Sequence, residues 1–236
     1  MEVHGPDHDP ERKEGAALEA RGALRVELHA VTKTFGPVRA LVGVSARFDS
    51  GEPSFVLGPN GSGKSTLLAL VGGLAKPTSG EVDHGALGRT REEVRRSLGW
   101  VGHDTLCYGD LSGRENIELA ARLHGLDVKG ALALAADRFE LGAFAARPMR
   151  TYSRGQRQKV ALARALVHAP RLLLLDEPSA GLDAGSVTRL VAVIGEEVAR
   201  GAVVVVVTHD PLLPQAVKGV SLMLERGRVV PSQSRP

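Results

Sequence analysis

Apolar and polar residues alternate over Leu24–Phe48, and the alternation is interrupted once, at Phe35-Gly36-Pro37. A period of two residues with one apolar face is typical of strands that bury a single side. The pattern therefore predicts two strands joined near Gly36, which would form an antiparallel β subdomain at the N-terminal side of the fold.

Further strands are predicted where short runs of neighbouring residues are almost all apolar. These runs are Phe55–Leu57, Leu98–Val101, Leu172–Leu175 and Val203–Val207. Strands that are apolar on both sides are typical of a mostly parallel sheet with helices on both faces. Helical spacing of apolar residues predicts helices over Ser65–Leu74, Arg91–Arg96, Ser153–Val167 and Val187–Val198.

The segment from Asp110 to Arg150 is rich in alanine, and its leucines have helical rather than strand spacing. We interpret it as a helical subdomain inserted into the sheet core. Pro77–Gly80 is predicted to form a turn, and Ser221–Leu224 and Val229–Val230 a closing hairpin. The predicted fold class is α/β, with a mixed sheet core, the inserted helical subdomain and the N-terminal antiparallel subdomain.

Met1–Gly22 is polar and has almost no large apolar residues. Such a segment cannot bury enough apolar surface to fold alone, so we predict a disordered tail there. Residues 23–231 are predicted to be one domain, and residues 232–236 a short second tail.

Composition narrows the class of protein. The chain has 236 residues, of which 43% are hydrophobic and only 3% aromatic, so its core must be mainly Ala, Val and Leu. A net charge of +3 is too small to indicate nucleic acid as a partner. The single Cys107 excludes an internal disulfide and favours a reducing compartment. No apolar run reaches the ~18 residues that span a bilayer, and we recognise no secretory signal. We therefore expect a cytoplasmic protein that reaches a membrane only through a partner.

Gly58–Thr66 has the spacing G-x-x-x-x-G-K-[ST], in which glycines let backbone N–H groups close around a phosphate chain. The loop follows a predicted strand and precedes a predicted helix, as this chemistry requires. Lys64 is expected to reach the β- and γ-phosphates, and the Ser65 hydroxyl to bind Mg²⁺. The predicted ligands are ATP and Mg²⁺, and the predicted nucleotide-binding residues are Gly58, Pro59, Asn60, Gly61, Ser62, Gly63, Lys64, Ser65 and Thr66.

A pair of carboxylates follows the apolar run Leu172–Leu175. Asp176 is expected to hold Mg²⁺ through water, and Glu177 to polarise the attacking water as the general base. His209 follows the run Val203–Val207, so it should lie at the same carboxyl edge of the sheet, within reach of the γ-phosphate. Together with the phosphate loop, and with Lys64 acting on the transferred phosphate, these residues predict an ATPase.

Five elements, in this order and at these spacings, resemble the nucleotide-binding subunits of ABC transporters. They are Gly58–Thr66, Ser153-Arg154-Gly155-Gln156, Leu172–Pro178, Gly181-Leu182-Asp183 and His209. The resemblance covers about Ala23–Val230 and implies a P-loop NTPase fold of the ABC type. It also implies a head-to-tail homodimer with two ATP molecules at its interface. In such a dimer Ser153 and Gly155, within the signature Ser153, Arg154, Gly155 and Gln156, contact the γ-phosphate of ATP held by the opposite protomer.

The same resemblance assigns two further residues. Asp183 would lie in the loop that communicates across the dimer, and Phe35 matches the aromatic residue that stacks on adenine. One Phe on a strand is as often part of a core, so both interpretations of Phe35 remain open.

Two departures narrow the subfamily. Arg154 stands at the third signature position, where most members have Gly, and His103 followed by Asp104 stands where the coupling loop usually has Gln. The pair Gly102-His103, with Tyr152-Ser-Arg-Gly and Ala-Leu-Ala-Arg-Ala-Leu downstream, resembles the ATPases of cytochrome c maturation, called haem exporters. This implies an ATP-hydrolysing subunit at the cytoplasmic face of the inner membrane. It would drive integral membrane subunits and meet haem only indirectly.

Other functions fit parts of the pattern. The ATPase of a multidrug, lipid or polysaccharide exporter would carry the same five elements. A soluble ABC-type ATPase of DNA repair or translation normally has two such domains, a coiled coil or a zinc module, none of which the sequence contains. A regulatory module without turnover would not need Lys64, Asp176, Glu177 and His209 intact.

Overall fold

A computed structural model describes residues 23–209 and 212–230. The two predicted tails, residues 1–22 and 232–236, lie outside these ranges. The strands are β1 Arg25–Phe35, β2 Val38–Asp49, β3 Ser54–Leu57, β4 Ser79–Asp83, β5 Leu98–Val101, β6 Leu172–Asp176, β7 Val203–Val207, β8 Val220–Glu225 and β9 Arg228–Val230. The α-helices are α1 Lys64–Val71, α2 Arg91–Arg96, α3 Gly113–Leu123, α4 Val128–Phe139, α5 Arg154–Leu166, α6 Ala184–Ala199 and α7 Leu212–Val217.

The smaller sheet is antiparallel and has the order β2-β1-β4. β1 and β2 pair as the alternating pattern predicts, with Val26 opposite Phe48 and both side chains buried. β4 corrects the sequence prediction, because Ser79 and Gly80 were expected in a turn and instead lie in this strand. Most residues of β4 are exposed, so its backbone pairing with β1, rather than burial of an apolar face, makes it a strand.

The larger sheet has the order β5-β6-β7-β3-β8-β9. Neighbouring strands in this sheet run parallel, except that β8 and β9 form the predicted antiparallel hairpin. Every residue of β6 and β7 is buried, and successive residues face opposite sides. Leu173 and Val204 join the core that packs under α5 and α6, whereas Leu172 and Val203 join the core shared with α1 and the antiparallel sheet. The predicted α/β fold class is therefore confirmed.

The helices largely match the apolar periodicity. α5 begins at Arg154 with the predicted N-cap, because Ser153 Oγ accepts the N–H of Gln156 at 3.2 Å and Gln156 Oε1 accepts the N–H of Ser153 at 3.2 Å. α1 ends earlier than predicted, at Val71, because the two glycines Gly72-Gly73 follow it. α7 was not predicted. Among the helices in the described ranges, none combines the length and apolar character that crossing a bilayer requires.

α3 and α4 belong to the helical subdomain, and ion pairs centred on one buried carboxylate join α4 to α6. Arg138 of α4 donates to Glu197 of α6 at 2.7 Å and to Glu196 at 2.6 Å. Arg200 pairs with the same Glu197 carboxylate, whose side chain is only 2% exposed. Two guanidinium groups therefore compensate one buried carboxylate where the helical subdomain meets the core.

Replacing Glu197 with alanine should lower the free energy of unfolding by about 2 kcal/mol, because Arg138 and Arg200 each lose a charge-assisted hydrogen bond to this buried carboxylate, while Arg138 keeps its bond to Glu196. Chemical denaturation measures this quantity. Glu92→Ala is the matched control, since it removes an exposed pair with Arg96 and should cost less than about 0.5 kcal/mol. Equal losses in the two variants would contradict a special role for the buried carboxylate.

Candidate active site

The predicted phosphate loop connects β3 to α1. Lys64, the first residue of α1, is buried, and its Nζ donates hydrogen bonds to the carbonyl oxygens of Gly58 at 2.8 Å and Pro59 at 3.0 Å. The loop therefore curls around the ammonium group. Asn60 and Gly61 form its exposed tip, and Thr66 is half-buried on α1.

The β8–β9 hairpin packs against this loop and supports it. Gly58 has φ +146, and a Cβ added there would overlap the carbonyl oxygen of Leu224 in β8. Gly227, in the β8–β9 turn, donates its N–H to Ser62 O at 2.9 Å and accepts the N–H of Val42 at 2.8 Å. The turn thus holds the loop against the antiparallel sheet, and only glycine fits at position 58.

Three features of the loop fit a bound triphosphate. The N-cap of α1, Gly63, provides no side-chain cap, and the first turn of the helix has no acidic residue. The Ser62 hydroxyl oxygen is buried and has no hydrogen-bond partner within the described residues. Lys64 keeps one ammonium proton beyond the two given to carbonyls. Free N–H groups at a helix start, a buried hydroxyl and a cation together suit an anion.

Ser65 and Asp176 lie in contact although 111 positions separate them. Ser65 Oγ donates to Asp176 Oδ2 at 2.6 Å, at the carboxyl end of β6. These are the two side chains that would hold Mg²⁺, the Ser65 hydroxyl directly and the Asp176 carboxylate through water. No cluster of three or more His, Cys, Asp and Glu side chains that could hold a metal ion occurs in the described ranges.

Burial raises the pKa of Asp176, and the neighbouring Glu177 carboxylate adds to this shift. The hydrogen bond from Ser65 and the charges of Lys64 and His103 oppose it. The ionised form of Asp176 is therefore energetically costly in the folded chain. A divalent cation at this position would remove that cost.

Glu177 sits at the start of the turn that leaves β6, in the left-handed backbone region with φ +52. Its N–H donates to Val207 O at 2.8 Å, which continues the β6–β7 ladder by one residue. His209 Nδ1 lies 2.8 Å from Glu177 Oε2, and the backbone N–H of His209 donates to the same oxygen at 3.3 Å. The structure thus brings Glu177 and His209 together. The His209 ring is mostly exposed and orients this carboxylate.

The signature residues Ser153, Arg154, Gly155 and Gln156 lie at the N-terminus of α5. Ser153 and Arg154 are exposed, and no hydrogen bond or ion pair among the described residues joins the signature to the phosphate loop. A Cβ added at Gly155 would lie 2.5 Å from Gly181 O, so α5 and the turn after Glu177 are in direct backbone contact.

Gln158 was missed by the sequence reasoning. Its side chain is buried, and its Nε2 donates to Pro178 O, next to Glu177, at 3.0 Å. The available signal was periodicity, because Gln158 occupies the apolar stripe of α5 with Ala161, Leu162 and Ala165.

The structure also shows the surroundings of four other predicted residues. Phe35 is 54% exposed, with Lys33 Nζ 4.9 Å from its ring centroid, so the alternative that it belongs to the core is excluded. Asp183 is the N-cap of α6, and its Oδ1 accepts the N–H of Ser186 at 2.8 Å, which lowers its pKa. His103 and Asp104 are 85% and 94% exposed, and their side chains are 3.8 Å apart.

Comparison with known proteins identifies the class. The ABC transporter family profile matches residues 41–180, and the chain therefore belongs to that family, as an ATP-binding domain. The cytochrome c biogenesis ATP-binding export protein CcmA of Gluconobacter oxydans is 36% identical over 188 residues, which cover 79% of this chain and 82% of that protein. The daunorubicin resistance ATP-binding protein DrrA3 of Streptomyces coeruleorubidus is 38% identical over 156 residues, which cover 64% of this chain and 49% of that protein.

The fold has close structural neighbours. The dimeric structure of a post-hydrolysis state of the ATP-binding cassette MJ0796, bound to ADP and Pi, has a TM-score of 0.77 and 32% identity. The superposition covers 87% of this chain and 97% of that chain. Family and fold together make the chain an ATP-binding and ATP-hydrolysing cassette.

The raised pKa of Asp176 predicts a stabilising substitution. Because the folded-state pKa lies above the unfolded value, the wild type loses stability as the pH rises through the folded-state pKa. Asp176→Asn removes the ionised form, so without Mg²⁺ and nucleotide its melting temperature at neutral pH should exceed that of the wild type by roughly 2 °C. The difference should vanish as the pH falls below about 4, where Asp176 is protonated in both the folded and the unfolded wild type. Calorimetry in a chelating buffer measures it, and a lower melting temperature at neutral pH would contradict the assignment.

Proposed function

We propose that this chain is the ATP-hydrolysing subunit of a membrane transporter for haem or for c-type cytochrome maturation, working as a head-to-tail dimer. The observation that carries the catalytic part is the Glu177 carboxylate, held one residue beyond the Ser65–Asp176 contact and bonded by His209. A base, a metal site and a phosphate loop at one edge of the sheet are the parts that phosphoryl transfer to water requires.

Each residue has a distinct role in this proposal. Lys64 and the loop N–H groups bind the β- and γ-phosphates, and Ser65 and Asp176 hold Mg²⁺, which when bound would neutralise phosphate charge. Glu177 accepts the proton of the attacking water. His209 donates to Glu177 and so fixes the direction of the carboxylate. Phe35, exposed at the end of β1, would offer its ring face to the adenine.

The dimer is supported by the separation within one chain between the phosphate loop and the signature. Ser153 keeps its hydroxyl proton free to donate, since Oγ acts as an acceptor in the N-cap. Since Ser153 is exposed and no hydrogen bond or ion pair among the described residues joins the signature to its own loop, a second protomer would bring Ser153 and Gly155 to the γ-phosphate. The dimeric state of the MJ0796 cassette supports the same arrangement.

A membrane subunit is the partner we propose for the helical subdomain. A groove of about 350 Å³ lies between α3 and α4, and its lining is apolar apart from two exposed cations, Arg114 and Lys129. This combination suits a cytoplasmic segment of the membrane subunit that presents apolar side chains and a carboxylate. The surface would transmit the ATP-driven movement, together with the exposed coupling-loop residues His103 and Asp104.

The cargo proposal rests on Gly102-His103 and the Tyr152-Ser-Arg-Gly signature, and the similarity to CcmA supports it. The alternative is a subunit of a drug, lipid or polysaccharide exporter, which the similarity to DrrA3 favours. In either case we place the chain on the cytoplasmic face of the inner membrane, held there by its partners.

Two substitutions test catalysis. Glu177→Gln should bind ATP normally but lower the ATPase rate by at least ~100-fold, because the amide cannot take the proton of water. Lys64→Ala should lose the activity by losing the phosphate contact. In size-exclusion chromatography with ATP, Glu177→Gln should elute as a dimer and Lys64→Ala as a monomer. Monomeric elution of Glu177→Gln, like that of Lys64→Ala, would contradict the shared-site dimer.

A second experiment tests the cargo in cells. A strain whose only copy carries Lys64→Ala should lose covalently bound haem from its c-type cytochromes and keep its b-type haem. Haem staining of denatured membrane proteins measures this, because only covalently attached haem survives denaturation. Normal c-type staining together with drug sensitivity or a surface-polysaccharide defect would transfer the assignment to the exporter alternative.

A further inference from the structure

α5 touches the turn that follows Glu177 at two places. Gly155 packs directly on the carbonyl of Gly181, and Gln158, three residues later on the same helix face, donates to Pro178 O at 3.0 Å. Residues three apart on a helix lie side by side, so one face of α5 contacts this turn near both of its ends.

Of these two contacts, the one made by Gln158 is a buried hydrogen bond. Its side chain is 7% exposed, and the acceptor belongs to the residue directly after Glu177. Pro178 has no N–H of its own, so its carbonyl is the one backbone hydrogen-bonding group this residue offers. Removal of the Gln158 amide would leave that carbonyl without this donor.

The turn is closed by its own backbone hydrogen bonds. Ala180 donates its N–H to Glu177 O at 3.1 Å, and Leu182 donates its N–H to Ser179 O at 3.1 Å. Two hydrogen-bonded turns therefore link Glu177 to Leu182, and Pro178 lies inside the first of them.

Glu177 needs support from its surroundings. A non-glycine residue with φ +52 occupies a sparsely populated backbone region and stays there only when neighbouring contacts hold it. On one side the N–H of Glu177 donates to Val207 O, and on the other side its successor accepts the bond from Gln158.

We propose that Gln158 is a positioning residue for hydrolysis: its buried carboxamide fixes the turn after Glu177 and so holds the catalytic carboxylate in its strained backbone conformation. The inference rests on the proposed role of Glu177. It adds that the helix carrying the signature also sets the direction of the base in the same chain. An ATP molecule contacted by Ser153 would therefore act, through α5, on a turn that serves the other ATP of the dimer.

Gln158→Met tests this, because methionine has nearly the same length and volume but no N–H donor. We expect kcat to fall about tenfold, as loss of a buried hydrogen bond typically costs, with KM for ATP unchanged within about twofold. With hydrolysis slowed and binding retained, this variant should also accumulate an ATP-bound dimer in size-exclusion chromatography, as Glu177→Gln does.

Gln215→Met is the matched control. It makes the same chemical change at an exposed position on α7 and should leave kcat within about twofold of the wild type. If Gln158→Met does not fold, Gln158→Glu replaces it. Its carboxyl can donate to Pro178 O only when protonated, so its kcat relative to the wild type should rise as the pH falls towards the pKa of this buried carboxyl.

Two outcomes would overturn the proposal. One is a wild-type kcat in folded Gln158→Met or a pH-independent ratio for Gln158→Glu. The other is a raised KM with loss of the ATP-dependent dimer, which would mean that Gln158 acts through the signature and not through Glu177. Failure of the proposed function is distinguishable, because Glu177→Gln itself would then form no ATP-dependent dimer.

Discussion

The backbone hydrogen bonds on the two sides of β7 determine where every part of the site lies. Val207, the last residue of this all-valine strand, stands opposite Asp176 in β6 and opposite Val56 in β3. Because both pairings are parallel, the loop after β3 and the carboxylates after β6 leave the sheet at the same level and edge. The Ser65–Asp176 contact follows from that register. A slip of one residue would turn Asp176 to the other face of the sheet and end the contact.

The parts that are fixed by burial were predictable from the sequence. β6 and β7 are apolar at almost every position because both of their faces are covered, and β1 and β2 alternate because one face of each is covered. The boundaries of α2, and the start of α5 at Ser153, follow from local capping chemistry that needs no tertiary information. The phosphate loop was predictable for a related reason, since binding one kind of ligand, a phosphate chain, requires its glycines and its lysine at a fixed spacing.

The parts that depend on distant backbone were not predictable. β4 exists because β1 offers an unpaired edge, and the sequence Ser-Gly-Glu-Val-Asp has no pattern of its own that indicates a strand. The left-handed conformation of Glu177 and the partner of Gln158 depend on how α5 packs against the end of β6, which no local window contains. The environment of Phe35 was also not predictable from the sequence, because only the fold could decide between a core position and an exposed ring.

The bracing of the phosphate loop by the β8–β9 hairpin has a consequence for synthesis. The carbonyl of Leu224 and the N–H of Gly227, which support Gly58 and Ser62, are made about 165 residues after them. At 5–20 residues per second the loop waits about 10–30 s for this support. A nascent chain therefore cannot use ATP as a template for folding. Nucleotide can bind only the finished domain. Chains truncated before the hairpin would lack a formed phosphate site.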